Sequence, residues 1–408
     1  MIREIKKGNT VVVRGATRVK LLEGELEILG KEVLPKKEED SQDQSELSEG
    51  VVIVPSALSF PLYAIKNSKL EIFTSNDNNI ELVSEHSIPI EWRKIKDDLV
   101  EQIKNHEGNV PLKIMVLGIS SGKTTLIKYL ANNFIKENIL GGYLDSDLGQ
   151  QILLPTTLMI GLIDKPFLSL KQIEEDKRHF VGATFPKGNL KFIVSHYTKE
   201  MIEEFAKNHK NLKYVLIDTD GWVKTEAGCI YKNYFIKKVD PDVLIVFYDK
   251  EIEEYDKILS KAKEKNDRKI LVINEKNKYF YEKSKEERRF LRQSRFAQVF
   301  EDFQKTTIPL QDLKFIKRDY DVEKDEVVEV EINVKNLIKL PYHYVIVGLL
   351  NDKSNLLNVA LLFTTNIDKG YVLLFTDLTY KEQKKIKKIL LGSLRLSIKG
   401  NHQGYLYL

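Results

Sequence analysis

Lys113-Ile114-Met115-Val116-Leu117-Gly118-Ile119-Ser120-Ser121-Gly122-Lys123-Thr124-Thr125 is the stretch that decides the fold. Its first five residues form an apolar run of strand length. After the glycine turn, Leu126, Ile127, Leu130, Ala131 and Phe134 recur at helical spacing. A strand that feeds a helix through such a turn is a βα unit, and GISSGKTT at 118–125 has the composition of a phosphate-binding loop in the right context. Gly118 and Gly122 let the backbone aim successive N–H groups at phosphate oxygens, and the positive end of the helix adds to their pull. Lys123 brings a cation to the β- and γ-phosphates, and the Thr124 hydroxyl suits Mg²⁺. Ser120, Ser121 and Thr125 complete the residues expected to hold ATP. Three residues separate the two glycines where the usual pattern has four, so the loop offers one N–H donor fewer.

Outward from this loop, the 408 residues exceed what one hydrophobic core normally serves, and two or three domains are expected. Apolar strand candidates at 190–195, 213–217, 242–247 and 269–273, separated by helical segments such as 198–209 and 251–265, predict an α/β P-loop domain with a mostly parallel sheet over 93–305. Residues 1–92 alternate apolar and polar positions and predict an N-terminal β domain, interrupted by the acidic loop 36–50. Period-two alternation returns in 326–334, 343–350 and 371–376, predicting a β-rich domain over 306–408.

Cys229 is the only cysteine, which excludes an internal disulfide, and none of the seven histidines stands at zinc-ligand spacing. No apolar run reaches membrane length and the first residues carry no secretory signal, so no membrane contact and a cytoplasmic location are expected. A net charge of +4 is too small to argue for nucleic-acid binding on its own, leaving that argument to local clusters.

Four segments beyond the loop carry further chemistry: YLDSDLGQQ (143–151), TFPKGN (184–189), DTDGWV (218–223) and KSKEERRFLRQSR (283–295). Asp145 and Asp147 lie at a predicted strand end, where an α/β sheet presents side chains to ligands. Asp218 follows the strand Lys213-Tyr214-Val215-Leu216-Ile217, in the position of a metal-holding carboxylate, and Gly221 permits close backbone approach. Arg288, Arg292 and Arg295 share one helical face, and Phe296, Phe300 and Phe303 continue it as an apolar stripe.

Together with the P-loop, these segments resemble the polynucleotide 5′-hydroxyl kinase family, which includes archaeal RNA kinases and the kinase-like subunit of the eukaryotic pre-mRNA cleavage machinery. The resemblance implies ATP-dependent phosphorylation of the 5′-hydroxyl end of RNA, with DNA left open as a substrate. It implies that Asp147 orients and deprotonates the attacking hydroxyl near Mg²⁺, with Asp145 behind it and Gln150 beside the RNA. It makes Thr184, Pro186 and Gly188 an RNA clasp, with Asn189 as an adjunct, and Trp222 a stacking surface for the terminal base. Arg288 and Arg292 become a lid that neutralises charge on the transferring phosphoryl group, with Arg289 and Arg295 subordinate. Within 24–30 (GELEILG), Glu27 matches the adenine-contacting position, with Lys66 as companion.

The region of Asn274-Glu275-Lys276-Asn277 lacks the aspartate of a guanine-reading motif, and no Leu-Ser-Gly-Gly-Gln signature occurs, which excludes a GTPase and a transporter-type ATPase. The alternative to a kinase is a catalytically silent ATP-binding scaffold of an RNA-processing complex, with RNA-processing proteins as partners.

Overall fold

The computed structural model describes residues 1–36, 50–119, 122–151, 153–275, 277, 279 and 281–406. Ser120, Ser121 and nearly all of the acidic loop 36–50 lie outside the described residues.

The central sheet runs in the order Glu174–Phe180, Thr157–Ile163, Gly141–Asp145, Tyr214–Asp218, Leu112–Leu117, Val243–Phe247, Lys269–Ile273. The last five are mutually parallel; the first four of these are buried along nearly their whole length, and Lys269–Ile273, at the edge, is buried only at Ile273. Thr157–Ile163 and Glu174–Phe180 add antiparallel to one edge, so the sheet is mixed rather than mostly parallel. Glu174–Phe180 is the charged sequence EEDKRHF on an edge, where polarity blunts further pairing and also hides the strand from hydrophobic periodicity.

The expected strand at 190–195 is instead the first part of the helix Leu190–Asn208. A short apolar run fits either structure; what decides is that Ile193, Val194, Tyr197, Met201, Ile202 and Phe205 continue at helical spacing and are buried together. At 251–265 the helix is Glu254–Ala262, and in the last third Glu326–Glu331 ends before a short helix, Val334–Leu337.

Two antiparallel sheets precede this layer. One runs Ile2–Ile5, Ser68–Phe73, Thr17–Glu23, Val51–Val54; the other runs Lys31–Val33, Leu26–Ile28, Ser59–Ala64, Thr10–Arg14, Ile80–Val83. Their apolar faces, including Val11, Val13, Val19, Leu21 and Leu70, form one cluster with Trp92 and Leu99 of the helix Ile90–Lys104 and with Leu126 and Leu130 of the P-loop helix Lys123–Lys136. After the central sheet, an eight-stranded sheet is built on Val345–Leu350, Leu356–Asn366 and Lys388–Leu396.

The lid helix, Lys285–Phe300, joins the two layers. Ser284 and Glu287 form a reciprocal capping box at its start. At its other end Phe296 and Phe300 are buried with Ile316, Ile346, Leu390 and Leu394 of the C-terminal sheet.

Asn132 holds the N-terminal sheets to the central layer. Fully buried on the P-loop helix, it donates to the Leu29 and Phe167 carbonyls at 2.8 and 2.9 Å and accepts from the Phe167 amide at 2.8 Å. Asn132→Leu would strand three buried backbone groups. At about 1–3 kcal/mol for each unsatisfied group, a loss of several kcal/mol is expected, read as a fall in the urea midpoint.

Candidate active site

Parallel register brings the acidic residues together. Asp145 and Asp218 are register partners at the ends of adjacent strands, so their carboxyls fall on the same face. Ser146 clips these ends by donating its amide and its hydroxyl to the Asp218 carbonyl, at 2.9 and 2.6 Å. Thr219 donates its hydroxyl to the Val116 carbonyl at 2.8 Å, tying in the strand that leads to the P-loop.

Thr124 donates its hydroxyl to Asp218 Oδ2 at 2.6 Å, and Lys123 Nζ donates to the Gly118 carbonyl at 2.7 Å. The other oxygen, Asp218 Oδ1, is buried with no hydrogen-bond partner among the described residues. Burial pushes the Asp218 carboxyl up to about 6 against the pull of Lys123 and Thr124. Asp145 is driven well above the carboxylate range by burial and then by Asp218 and Asp147.

Asp147 sits in a tight turn after the strand. Its Oδ1 accepts the amides of Gly149 and Gln150 at 3.0 and 3.1 Å. Burial and Asp220 push its carboxyl up, while Lys123 and those amides oppose the shift. Arg295 clamps the same turn by donating to the Gln150 carbonyl at 2.6 Å.

Thr156 ties this turn to the next segment. With φ at 80°, an uncommon conformation for a β-branched residue, it donates to the Leu148 carbonyl at 2.8 Å and accepts the amides of Val181 and Gly182 at 2.9 and 3.0 Å. Gly182 packs so closely that an added Cβ would lie 2.3 Å from Gly392 Cα of the C-terminal sheet. TFPKGN then passes the Asp147 turn, where a Cβ on Gly149 would meet the Thr184 carbonyl at 2.8 Å.

A cavity of about 500 Å³ opens over these elements. Gly122, Lys123, Thr124, Thr125, Asp145, Asp147, Gln150 and Asp218 line its central-sheet side, with Gly221 beside them. Arg288 and Arg295 reach it from the lid helix. Its remaining walls are Pro55, Ser56 and Leu58 from the N-terminal sheets and Ser169, Leu170 and Lys171 from the segment after Thr157–Ile163. Lys128 and Lys283 also line it. Burial and the charge of Lys283 push the Lys128 ammonium down to about 8; burial, Arg295 and Arg288 do the same to Lys283.

Several sequence-derived candidates lie elsewhere. Glu27 is not among the lining residues; its carboxylate pairs with Lys136 at 3.3 Å. Lys66 pairs with Glu25 at 2.8 Å. Arg292 is also absent from the lining, although Asp147 is the strongest opposite charge acting on it. Arg295, on the same helix face but subordinate in the resemblance, lines the cavity. Asn189 donates its amide to Asp319 at 2.8 Å, away from the clasp.

Thr184 and Pro186 are buried and Gly188, with φ at 61°, turns the exposed end of the clasp. Trp222 donates Nε1–H to Thr225 at 3.0 Å and meets Phe185 edge-on at 6.1 Å. Phe185 is 40% exposed, so the TFPKGN segment carries an accessible aromatic ring beside Trp222. Phe185 is a candidate the sequence reading missed; an exposed aromatic one residue inside the TFPKGN segment was the available signal. Lys128 and Lys283 gave no signal, because only the fold brings them to one cavity.

A glycine loop opening a helix at the C-terminal end of the central parallel strand, with carboxylates on its neighbours, defines a P-loop nucleotide-binding protein. Residues 118–302 match the family model described as the mRNA cleavage and polyadenylation factor CLP1 P-loop. Among archaeal relatives, a polyribonucleotide 5′-hydroxyl-kinase of Pyrococcus furiosus is 29% identical over 341 residues, 72% of this chain and 91% of its own. One from Thermococcus kodakarensis is 34% identical over 211 residues, 50% of this chain and 56% of its own. The Clp1p chain of a wild-type Clp1p–Pcf11p (454–563) complex has the same fold, with a TM-score of 0.67 at 17% identity over 97% of each chain. No helix among the described residues is long and apolar enough to cross a membrane.

Because the folded Asp218 carboxyl titrates above the roughly 3.9 of an unfolded aspartate, the fold binds its proton more tightly. The stability this group confers is full below about pH 4 and is lost as pH rises through about 6. In EDTA, Asp218→Asn is therefore expected to melt above the wild type at pH 7.5, with the difference closing toward pH 4.5 in thermal scans.

Proposed function

We propose that this protein transfers the γ-phosphate of ATP to the 5′-hydroxyl end of RNA. The observation that carries this reading is the single cavity in which the phosphate-binding Lys123 and Thr124 share walls with Asp147 and two lid arginines. Phosphoryl transfer needs positioning and charge neutralisation more than covalent chemistry, and this arrangement supplies both.

Asp147 holds one oxygen on backbone amides, which fixes the carboxylate and leaves Oδ2 to accept the hydroxyl proton. Its upward-shifted carboxyl is a better proton acceptor than an ordinary aspartate. The RNA 5′-oxygen forms a bond to the γ-phosphorus in line as the bond to the β-phosphate oxygen breaks, and ADP leaves. Lys123 neutralises charge between the β- and γ-phosphates, while Arg288 and Arg295 cover the transferring group; Arg292 supports Asp147.

The Asp218 environment fits a divalent cation. A buried carboxylate oxygen without a partner, beside the Thr124 hydroxyl and crowded by Asp145, is a hard-oxygen donor set whose negative charge Lys123 offsets only in part. Mg²⁺, which typically takes one or two protein ligands plus substrate phosphates, would be held by Thr124 and Asp218, with Asp147 near it, and would supply charge stabilisation. Among the described residues no three His, Cys, Asp or Glu side chains form a protein-only metal cage.

RNA would be clasped by Thr184, Pro186, Gly188 and Gln150, with the terminal base on Trp222 and Phe185. With γ-labelled ATP, Mg²⁺ and a 5′-hydroxyl oligoribonucleotide, label is expected on the RNA and none with Lys123→Ala. Asp147→Asn should reduce kcat by about a hundred- to ten-thousandfold, the range for loss of a positioned general base. ATP binding without transfer to RNA or DNA ends would instead assign the silent scaffold. Trp222→Ala should raise KM for RNA about five- to hundredfold, the span of one lost base stack, while KM for ATP holds.

A further inference from the structure

Lys128 and Lys283 are cations of the cavity for which the chemistry above has no use. Lys128 stands on the P-loop helix, five residues past Lys123, and is only 7% exposed. Lys283 immediately precedes the Ser284 cap of the lid helix. Neither ammonium has a hydrogen-bond or ion-pair partner among the described residues, yet both line the cavity. The nearby Asp218 carboxylate attracts Lys128 but forms no ion pair with it, and its Oδ2 is held by Thr124. A buried cation without a countercharge is costly, and a second one facing it raises the cost; an anion received between them relieves both.

We propose that Lys128 and Lys283 form the subsite for the nucleotide α-phosphate, an inference that rests on reading the cavity as the ATP site. Position argues for that phosphate. Lys128 follows Lys123 by five residues, about 1.4 turns, on the same helix, so its side chain leaves another face and its ammonium lies by the N-terminal sheets rather than at the Lys123 contact. Its ammonium is 6.0 Å from the Phe60 ring of the N-terminal sheets, whose Ser56 and Leu58 wall the same end of the cavity. The phosphate between the β/γ cradle and that wall is the α-phosphate. A P-loop ordinarily serves the α- and β-phosphates through backbone N–H groups, and this loop is one residue short. Two lysine ammoniums supply the positive charge that the missing amide would have given.

Calorimetric titration of the full chain with ATP, ADP, AMP and adenosine tests the assignment. Lys128→Met is expected to weaken ATP, ADP and AMP by the same factor, about ten- to hundredfold for one charge-assisted contact, and to leave adenosine unchanged. Lys123→Met should weaken ATP and ADP and spare AMP. Lys128→Arg should recover most of the affinity, and the melting temperature of Lys128→Met should hold or rise because a buried charge is gone. Should that variant not fold, Lys283→Met at the more exposed position carries the same comparison. Undiminished AMP binding by folded Lys128→Met and Lys283→Met, an equal loss of adenosine, or a loss confined to an added oligoribonucleotide would each overturn the subsite. Failure of the ATP reading shows separately, as wild-type protein that binds no nucleotide or as Lys123→Met with unchanged ATP affinity, and the subsite falls with it.

Discussion

Two carboxyls placed side by side by strand register govern much of this molecule. Asp145 and Asp218 end adjacent parallel strands at the same level, buried and without a neutralising cation of their own. In a low-dielectric crevice such a pair resists ionisation, and positive charge brought close enough to relieve it is favoured. Lys123 from the loop, the hydroxyl of Thr124 and the guanidinium of Arg295 all come to this place, each from a different element.

The outer layers matter because they hold those elements in place. Asn132 fastens the N-terminal sheets to the P-loop helix, so the wall formed by Ser56 and Leu58 is fixed relative to Lys123. The lid helix is anchored by Phe296 and Phe300 in the C-terminal core while Arg288 and Arg295 face the cavity. Thr156 and Gly182 pass the same constraint along the backbone, from the Asp147 turn to the clasp and on to the C-terminal sheet. A site assembled from one loop, two strand ends, a clasp and a helix keeps its geometry only through such joints.

Most of the residues proposed for catalysis could be read from short segments. The P-loop, the Asp147 turn, the clasp and DTDGWV are each local, and each carries its chemistry within a few residues of a strand end. Prediction failed where a feature depends on a distant partner. The edge strand Glu174–Phe180 is too charged to show an apolar period, and the run at 190–195 was too short to distinguish strand from helix until its continuation was packed. Glu27 had a matching position but found Lys136 as its partner, a choice made by the approach of the P-loop helix to the N-terminal sheet.

The sequence by itself determined that a phosphate-binding turn joins a strand to a helix, and which aspartates and arginines stand near it, because backbone curvature and helical spacing are set by neighbours along the chain. Only the tertiary structure decided that Arg295 reaches the cavity while Arg292 stays off its lining, that Phe185 stands beside Trp222, and that Lys128 and Lys283 share one space. Those outcomes depend on the rotation of one element against another and on which charges are buried together. Packing of the whole chain settles both, and no local spacing encodes them.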